Sequence, residues 1–257
     1  MTPKAFALDM DGTVYKGNKP IPGAAEFVSA LVGRGIPHVF LTNNSSRGVD
    51  HYLSKLGSMG IPASRDNVLT SSIATFRYLN SREGGARVMV LGTPDFEAEA
   101  LDAGINMVDS DPDVVLLSFD RTITYAKINA AYRALSSGAR LVATHPDDLC
   151  PAEDGYDIDI GPFIGMFESM SGARATVVGK PNPLMLEMAA GAMGVAPGDV
   201  AMVGDRLYTD IRMAAEGGNE SFLVLTGEAK ESDVGESEWK PTYVVGGVAD
   251  IIPMLGP

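Results

Sequence analysis

The sequence predicts an α/β protein: a Rossmann-like parallel sheet flanked by helices, interrupted by a second, inserted α/β unit. Three observations carry this reading. Short continuous apolar runs recur at residues 5–8, 38–41, 175–178, 200–203, 221–225 and 243–245. Stretches with helical apolar spacing lie between them. From residue 80 to residue 175 the chain leaves that rhythm and begins an α/β series of its own.

Continuous rather than alternating apolarity marks strands covered on both faces, as in a parallel sheet layered with helices. Helices are expected at 24–32, 50–59, 69–79, 184–192 and 210–216, with Gly33, Gly60 and Gly194 placed to stop three of them. Within the insert the pattern gives strands at 87–91, 114–118 and 140–143 and helices at 95–103 and 125–136. Residues 1–79 and 176–257 thus form one expected domain and 80–175 the other. Polar hinges near 80–85 and 170–174 separate them.

With 257 residues, 45% apolar and 21% charged, the chain has the composition of an ordinary globular protein. Its formal charge of −13 repels nucleic acid polymers and anionic membranes. The apolar run at 5–8 is too short for a signal peptide or a membrane span. A lone cysteine, Cys150, fits a reducing compartment, so a cytoplasmic protein is expected, and nothing in the composition opposes a homo-oligomer. A small phosphorylated partner would meet the same repulsion, and would need local positive charge from a metal ion, a lysine and backbone N–H groups.

The segments just after the apolar runs supply such groups. The first run leads into Asp9-Met10-Asp11-Gly12-Thr13, the second into Thr42-Asn43-Asn44-Ser45, the third into Gly179-Lys180-Pro181 and the fourth into Gly204-Asp205. Ligands of open parallel sheets bind beyond the carboxyl ends of the strands. Four strand ends are therefore expected to bring carboxylates, a hydroxyl, amides and a lysine to one rim.

Phosphate monoesters hydrolyse so slowly that catalysis must approach ~10²¹-fold. A carboxylate nucleophile splits the reaction into two easier steps, and a cation offsets its repulsion from phosphate. Asp9 and Asp11 suit nucleophile and acid–base roles because two-residue spacing at a strand end places both side chains on the same side. Gly12 permits a tight turn with its N–H toward a phosphate oxygen. A solvated turn would also use these residue types. A calcium loop counted from Asp9 would need an oxygen ligand at its twelfth position, where Pro20 stands.

Taken together, Asp9-Met10-Asp11-Gly12-Thr13, Leu41-Thr42-Asn43-Asn44, Gly179-Lys180-Pro181 and the run from Val203 through Gly204-Asp205 to Thr209-Asp210 resemble the four ordered signatures of the haloacid dehalogenase-like (HAD) superfamily. The Thr-Asn-Asn form and the Thr-Asp-Ile ending resemble its NagD-like branch of capped phosphatases. That resemblance implies the HAD fold with the insert as cap, and Mg²⁺ as cofactor. Asp9 would be nucleophile and metal ligand. Asp11 would be the acid–base group and lend its backbone carbonyl to the metal, which Asp205 completes, with Asp210 behind the ligands. Thr42 and the Asn43 backbone would hold phosphate oxygens together with Gly12, and Lys180 would neutralise charge.

Plainer readings stand beside these: Lys180 as a surface lysine before a proline turn, Asp210 as a helix cap, and Thr42 and Asn43 as helix-entry residues, a place that also suits phosphate. In the cap, the loop 145–156 carries His145, Asp147, Asp148, Cys150, Glu153 and Tyr156. Similar proteins usually have Asn or Asp where His145 stands, and in relatives a residue near Cys150 helps recognise substrate. His145, Asp147 and Cys150 are thus candidates for selectivity, with a solvated loop the plainer reading of the histidine. The function expected is Mg²⁺-dependent hydrolysis of a small phosphorylated metabolite, such as a sugar phosphate or nucleotide monophosphate, through an aspartyl-phosphate. A phosphotransferase or phosphomutase would use the same residues. A receiver domain places its phospho-acceptor later in the chain and has no large insert.

Overall fold

The computed structural model describes residues 3–152 and 155–256; Glu153 of the selectivity loop lies outside them. In chain order it contains β1 (Ala5–Asp9), the short antiparallel pair β2 (Tyr15–Lys16) and β3 (Lys19–Pro20), α1 (Ala24–Gly33), β4 (His38–Thr42), α2 (Val49–Ser58), β5 (Val68–Thr70) and α3 (Ser71–Arg82). Next come β6 (Val88–Leu91), α4 (Pro94–Asp102), β7 (Val114–Leu117), α5 (Tyr125–Ser136), β8 (Arg140–Ala143), β9 (Leu149–Ala152), β10 (Gly155–Ile158), α6 (Gly161–Ser171) and β11 (Ala175–Val177). The chain closes with α7 (Leu184–Met193), β12 (Val200–Gly204), α8 (Arg212–Gly217), β13 (Ser221–Val224), α9 (Glu231–Glu236) and β14 (Tyr243–Val245). Among the described residues no helix is long and apolar enough to cross a membrane.

Two compact units emerge. The first comprises Met1–Thr42, Val49–Leu69 and Lys180–Pro257, and the second Asn43–Gly48 and Thr70–Gly179. A six-stranded sheet in the order β14-β13-β12-β1-β4-β5 organises the first unit, and its pairs from β14 to β4 run parallel. Every residue of β1 is buried, which explains its unbroken apolar run. Phe6 packs edge-on against Phe27 of α1 and at a tilt against Phe222 of β13. Each such buried ring contributes on the order of 1.5–3 kcal/mol.

A four-stranded parallel sheet in the order β11-β8-β7-β6 organises the second unit, with its own core of Leu91, Leu117, Leu141, Ile160 and Phe167 among others. Helices α4 and α5 start where the sequence caps them. Thr93 accepts from the Phe96 N–H ahead of Pro94, and Thr124 accepts from that of Lys127.

The structure redraws three sequence expectations. The run at 175–178 has the pattern of a main-sheet strand, yet β11 pairs with β8 in the second sheet. Both sheets bury apolar strands on two faces, so the run itself carries no address. The helix expected at 69–79 starts at Ser71, because Val68 and Leu69 are buried in β5 and the Thr70 hydroxyl caps the helix at Ile73 N. That helix, α3, belongs to the second unit, which begins ten residues before the expected boundary; Phe76 packs on Phe96 of α4 and Asn80 donates to Ala103 O.

Candidate active site

Sheet register builds the site of the first unit. Leu8 of β1 lies opposite Val203 of β12, so Asp9 arrives beside Gly204 and Asp205. On the other flank Asp9 lies opposite Leu41, placing Thr42 at the same edge. Lys180, which comes directly after the second unit in the chain, is buried against this edge. Its Nζ donates to Asp9 Oδ1 and, at 2.7 Å, to Asp210 Oδ1.

The environment of Asp205 is the most specific feature. Its Oδ2 accepts the Glu228 N–H at 2.7 Å, whereas its buried Oδ1 has no hydrogen-bond partner. An orphaned carboxylate oxygen of this kind is costly unless a cation takes it. The backbone crowds it closely: a Cβ on Gly12, whose φ is +91°, would stand 2.3 Å from Asp205 Oδ2, and one on Gly227 1.8 Å from it. Only glycine fits at either place.

Ligand atoms of Asp9, Asp205 and Asp210 lie within 4.8 Å of one another, all three residues buried. Asp210 spends both oxygens elsewhere, Oδ1 on Lys180 and Oδ2 on the Arg206 N–H at 3.2 Å. These bonds tie it to the lysine and to the turn Leu207–Ile211. Hard oxygen donors with one position orphaned fit a divalent cation such as Mg²⁺.

Electrostatics agree with that fit. Burial pushes Asp205 up to about 8, with the neighbouring Asp9 and Asp210 charges adding to it. Burial likewise raises Asp9, to about 6, against the pull of Lys180. Burial would lower the Lys180 ammonium, but Asp210 and Asp9 outweigh it and hold the group charged. Half-buried Asp11 is raised by burial and opposed first by Lys55, whose ammonium sits 3.9 Å over the Tyr15 ring. The turn after Asp11 is closed by Gly12 N–H donating to Tyr15 O at 2.7 Å and by Thr226 Oγ1 donating to Gly12 O at 2.6 Å.

The structure thus gathers Asp9, Gly12, Lys180, Asp205 and Asp210 at one end of the first sheet, with Thr42 ending β4 and Asp11 two residues beyond β1. Asn43, His145, Asp147 and Cys150 belong to the second unit. There Asn43 Nδ2 donates to both oxygens of Asp147 at 3.2 Å, and Asn44 Nδ2 to Cys150 Sγ at 3.5 Å. His145 is no solvated loop residue: it is fully buried and bonded to Asp159. Sequence reasoning passes over Thr226, Gly227 and Glu228, which hold Gly12 and Asp205. Their signal is a Thr-Gly turn directly after the apolar run at 221–225, the same strand-end position as the other motifs.

Comparison with known proteins gives a consistent answer. Family models described as haloacid dehalogenase-like hydrolase and HAD-hydrolase-like match residues 6–106 and 177–251. The chain is 33% identical to the 5′-nucleotidase YutF of Bacillus subtilis over 254 residues, 99% of both chains. It is 34% identical to the acid sugar phosphatase of Staphylococcus epidermidis over 241 residues, 93% of each. Among solved structures, a 4-nitrophenylphosphatase from Thermotoga maritima superposes with a TM-score of 0.94 at 37% identity, covering 99% of this chain and 98% of that one. NagD from E. coli K-12 does so with 0.91 at 30% identity, covering 98% and 99%.

Proposed function

Since the chain belongs to the haloacid dehalogenase-like hydrolase family, NagD-like branch, and is a phosphoric monoester hydrolase acting on small phosphorylated substrates, we propose that it works through an aspartyl-phosphate on Asp9 with Mg²⁺ as its metal. One observation carries the reading: Asp9, at the end of β1, is ion-paired to Lys180 beside an Asp205 oxygen with no partner.

Asp9 and Asp205, with the backbone carbonyl of Asp11, would hold Mg²⁺, which would neutralise charge between carboxylate and phosphate. An Asp9 oxygen attacks phosphorus and the ester P–O bond breaks. Asp11 gives its proton to the departing alkoxide, which leaves as the alcohol. Asp11, now a carboxylate, takes a proton from water as that water attacks phosphorus, and the acyl phosphate P–O bond breaks to restore Asp9 and release inorganic phosphate. Lys180 keeps Asp9 ionised against the burial that would protonate it. Thr42 and the Asn43 backbone would take phosphate oxygens; the Gly12 N–H expected beside them donates instead to Tyr15 O and closes the turn.

The second unit, in this reading, chooses the substrate, with the loop 145–156 making contacts remote from phosphate. The names of the relatives favour nucleotide monophosphates and sugar phosphates as first substrates to try. A cytoplasmic location accords with a chain that carries one cysteine, Cys150. A panel of phosphorylated metabolites, each assayed for phosphate release with Mg²⁺ and with excess chelator, tests the proposal. Release that ignores the chelator would sink the metal assignment, and transfer to added alcohols in place of water would favour a phosphotransferase.

A further inference from the structure

The six residues Asn43–Gly48 belong to the second unit although the chain on either side of them belongs to the first. Polar contacts hold them there. Ser71 Oγ donates to Asn43 O at 2.5 Å, Asn43 Nδ2 donates to Asp147, and the Phe119 N–H donates to Ser45 Oγ at 3.0 Å. Ser45 Oγ also lies 3.1 Å from Thr144 Oγ1, which is 2.9 Å from His145 Nδ1. On its far side His145 Nε2 is 2.9 Å from Asp159 Oδ1, which also accepts the Ile160 N–H at 2.8 Å. Ser45, Thr144, His145 and Asp159 are all buried. His145 precedes the hairpin β9–β10 and Asp159 comes after it, so the pair ties the hairpin's two ends together.

Counting protons along this chain of groups gives it a direction. A carboxylate only accepts, so Nε2 carries a proton toward Asp159. If Nδ1 carries one too, it donates to Thr144 Oγ1, and the Thr144 hydroxyl is free to donate to Ser45. If Nδ1 is bare, the Thr144 hydroxyl must turn to it, and Ser45 loses that donor. Among the described residues the charged groups that bear on the ring are Asp159 and Asp147, whose ligand atoms lie within 4.8 Å of its own. Burial pulls the imidazole down, but these two carboxylates outweigh it and hold it above its ordinary value. Imidazolium is thus the form that leaves the Thr144 hydroxyl to Ser45 and offsets the buried carboxylate.

We propose that His145, clamped between Thr144 and Asp159, is a positioning residue for the loop Asn43–Gly48: through Thr144 it fixes Ser45, and beside Asp147 it fixes the Asn43 amide. The proposal rests on the reading that Asn43 takes a phosphate oxygen. His145 itself touches no phosphate. When the ring loses its proton the loop loosens, and phosphate is held less tightly.

The test uses the full chain. The ring protonation of His145 and the Phe119 amide shift are followed by NMR from roughly pH 5.5 to roughly pH 9, a span that brackets a raised imidazole. The inhibition constant of inorganic phosphate is measured over the same span. In the wild type the Phe119 amide should titrate with the midpoint of the ring. His145→Asn, which removes the titrating ring, and Thr144→Val, which keeps shape but drops the hydroxyl, should both abolish that titration. Each should raise the inhibition constant about tenfold below the midpoint, the scale of one buried hydrogen bond, with KM affected more than kcat. A Phe119 amide that ignores the ring, or inhibition profiles of both variants that overlay the wild type, would overturn the proposal. So would a stoichiometric transition metal lost from His145→Asn, which would make the ring a ligand. Thr42→Ala separates the two readings: if it too leaves phosphate inhibition unchanged, the phosphate-binding assignment of this strand end has failed as well.

Discussion

Lys180 offers the sharpest perturbation of the first unit. Its ammonium serves Asp9 and Asp210, and the side chains of Lys180, Asp9 and Asp210 are 5%, 11% and 0% exposed. Lys180→Met keeps the stem and removes the charge, leaving two carboxylates buried without it. Breaking a buried pair by deleting one partner costs about 3–5 kcal/mol. At roughly 2–4 °C per kcal/mol for chains of about this length, the Tm should fall by about 6–20 °C near pH 7 without divalent cation. The loss should shrink toward pH 5, because Asp9 is already raised to about 6 and protonates there. Adding Asp210→Asn should recover part of it, since removing both charges is far less costly than stranding one. Differential scanning calorimetry with circular dichroism measures these shifts. A Lys180→Met protein melting within about 2 °C of wild type would refute the claim that the lysine neutralises buried carboxylates.

Asp205→Asn should cut Mg²⁺ affinity, read by calorimetric titration, and lower kcat/KM by more than the ~10–100-fold typical of losing an outer partner; Ca²⁺ should support turnover poorly because its larger shell is looser. Asp205 is raised from 3.8 to about 8, so the folded state binds the extra proton. Stability of the metal-free protein should therefore be greatest below about pH 4 as far as this group goes, and be lost as pH rises through about 8. Mg²⁺, which displaces that proton, should bind more tightly over the same window, and melts at several pH values with and without Mg²⁺ check both trends. Substitutions of Cys150 and Tyr156 should change the ratio of kcat/KM between phosphorylated metabolites while sparing a small aryl phosphate; equal losses on every substrate would assign the loop a general role instead.

Most of the first unit is legible in the sequence because its chemistry is local. A buried strand ends, and within a few residues the polar group appears: Asp9 after 5–8, Thr42 after 38–41, Asp205 after 200–203. Register then does the assembly, and register comes from parallel pairing. Lys180 is legible as a residue but not as a strand end of that sheet, because β11 pairs in the other one. Apolar periodicity reports burial, not partner. The elements missed altogether are the short pair β2–β3, α6, the hairpin β9–β10 and α9, whose residues match neither the strand nor the helix pattern cleanly. Polar contacts over long separations are equally invisible: the Asn43–Asp147 bond joins residues 104 apart, and Ser45–Thr144 spans 99. No short window of the sequence contains either pair.

The covalent step decides the mechanism. Rapid quenching of the enzyme with a ³²P-labelled substrate and Mg²⁺, followed by peptide mapping, should place acid-stable, hydroxylamine-labile label on the peptide carrying Asp9. Asp9→Asn, nearly the same shape but a poor nucleophile, should stay folded, carry no label and lose turnover. Label on another residue, or substantial turnover by pure Asp9→Asn, would contradict the mechanism at its root.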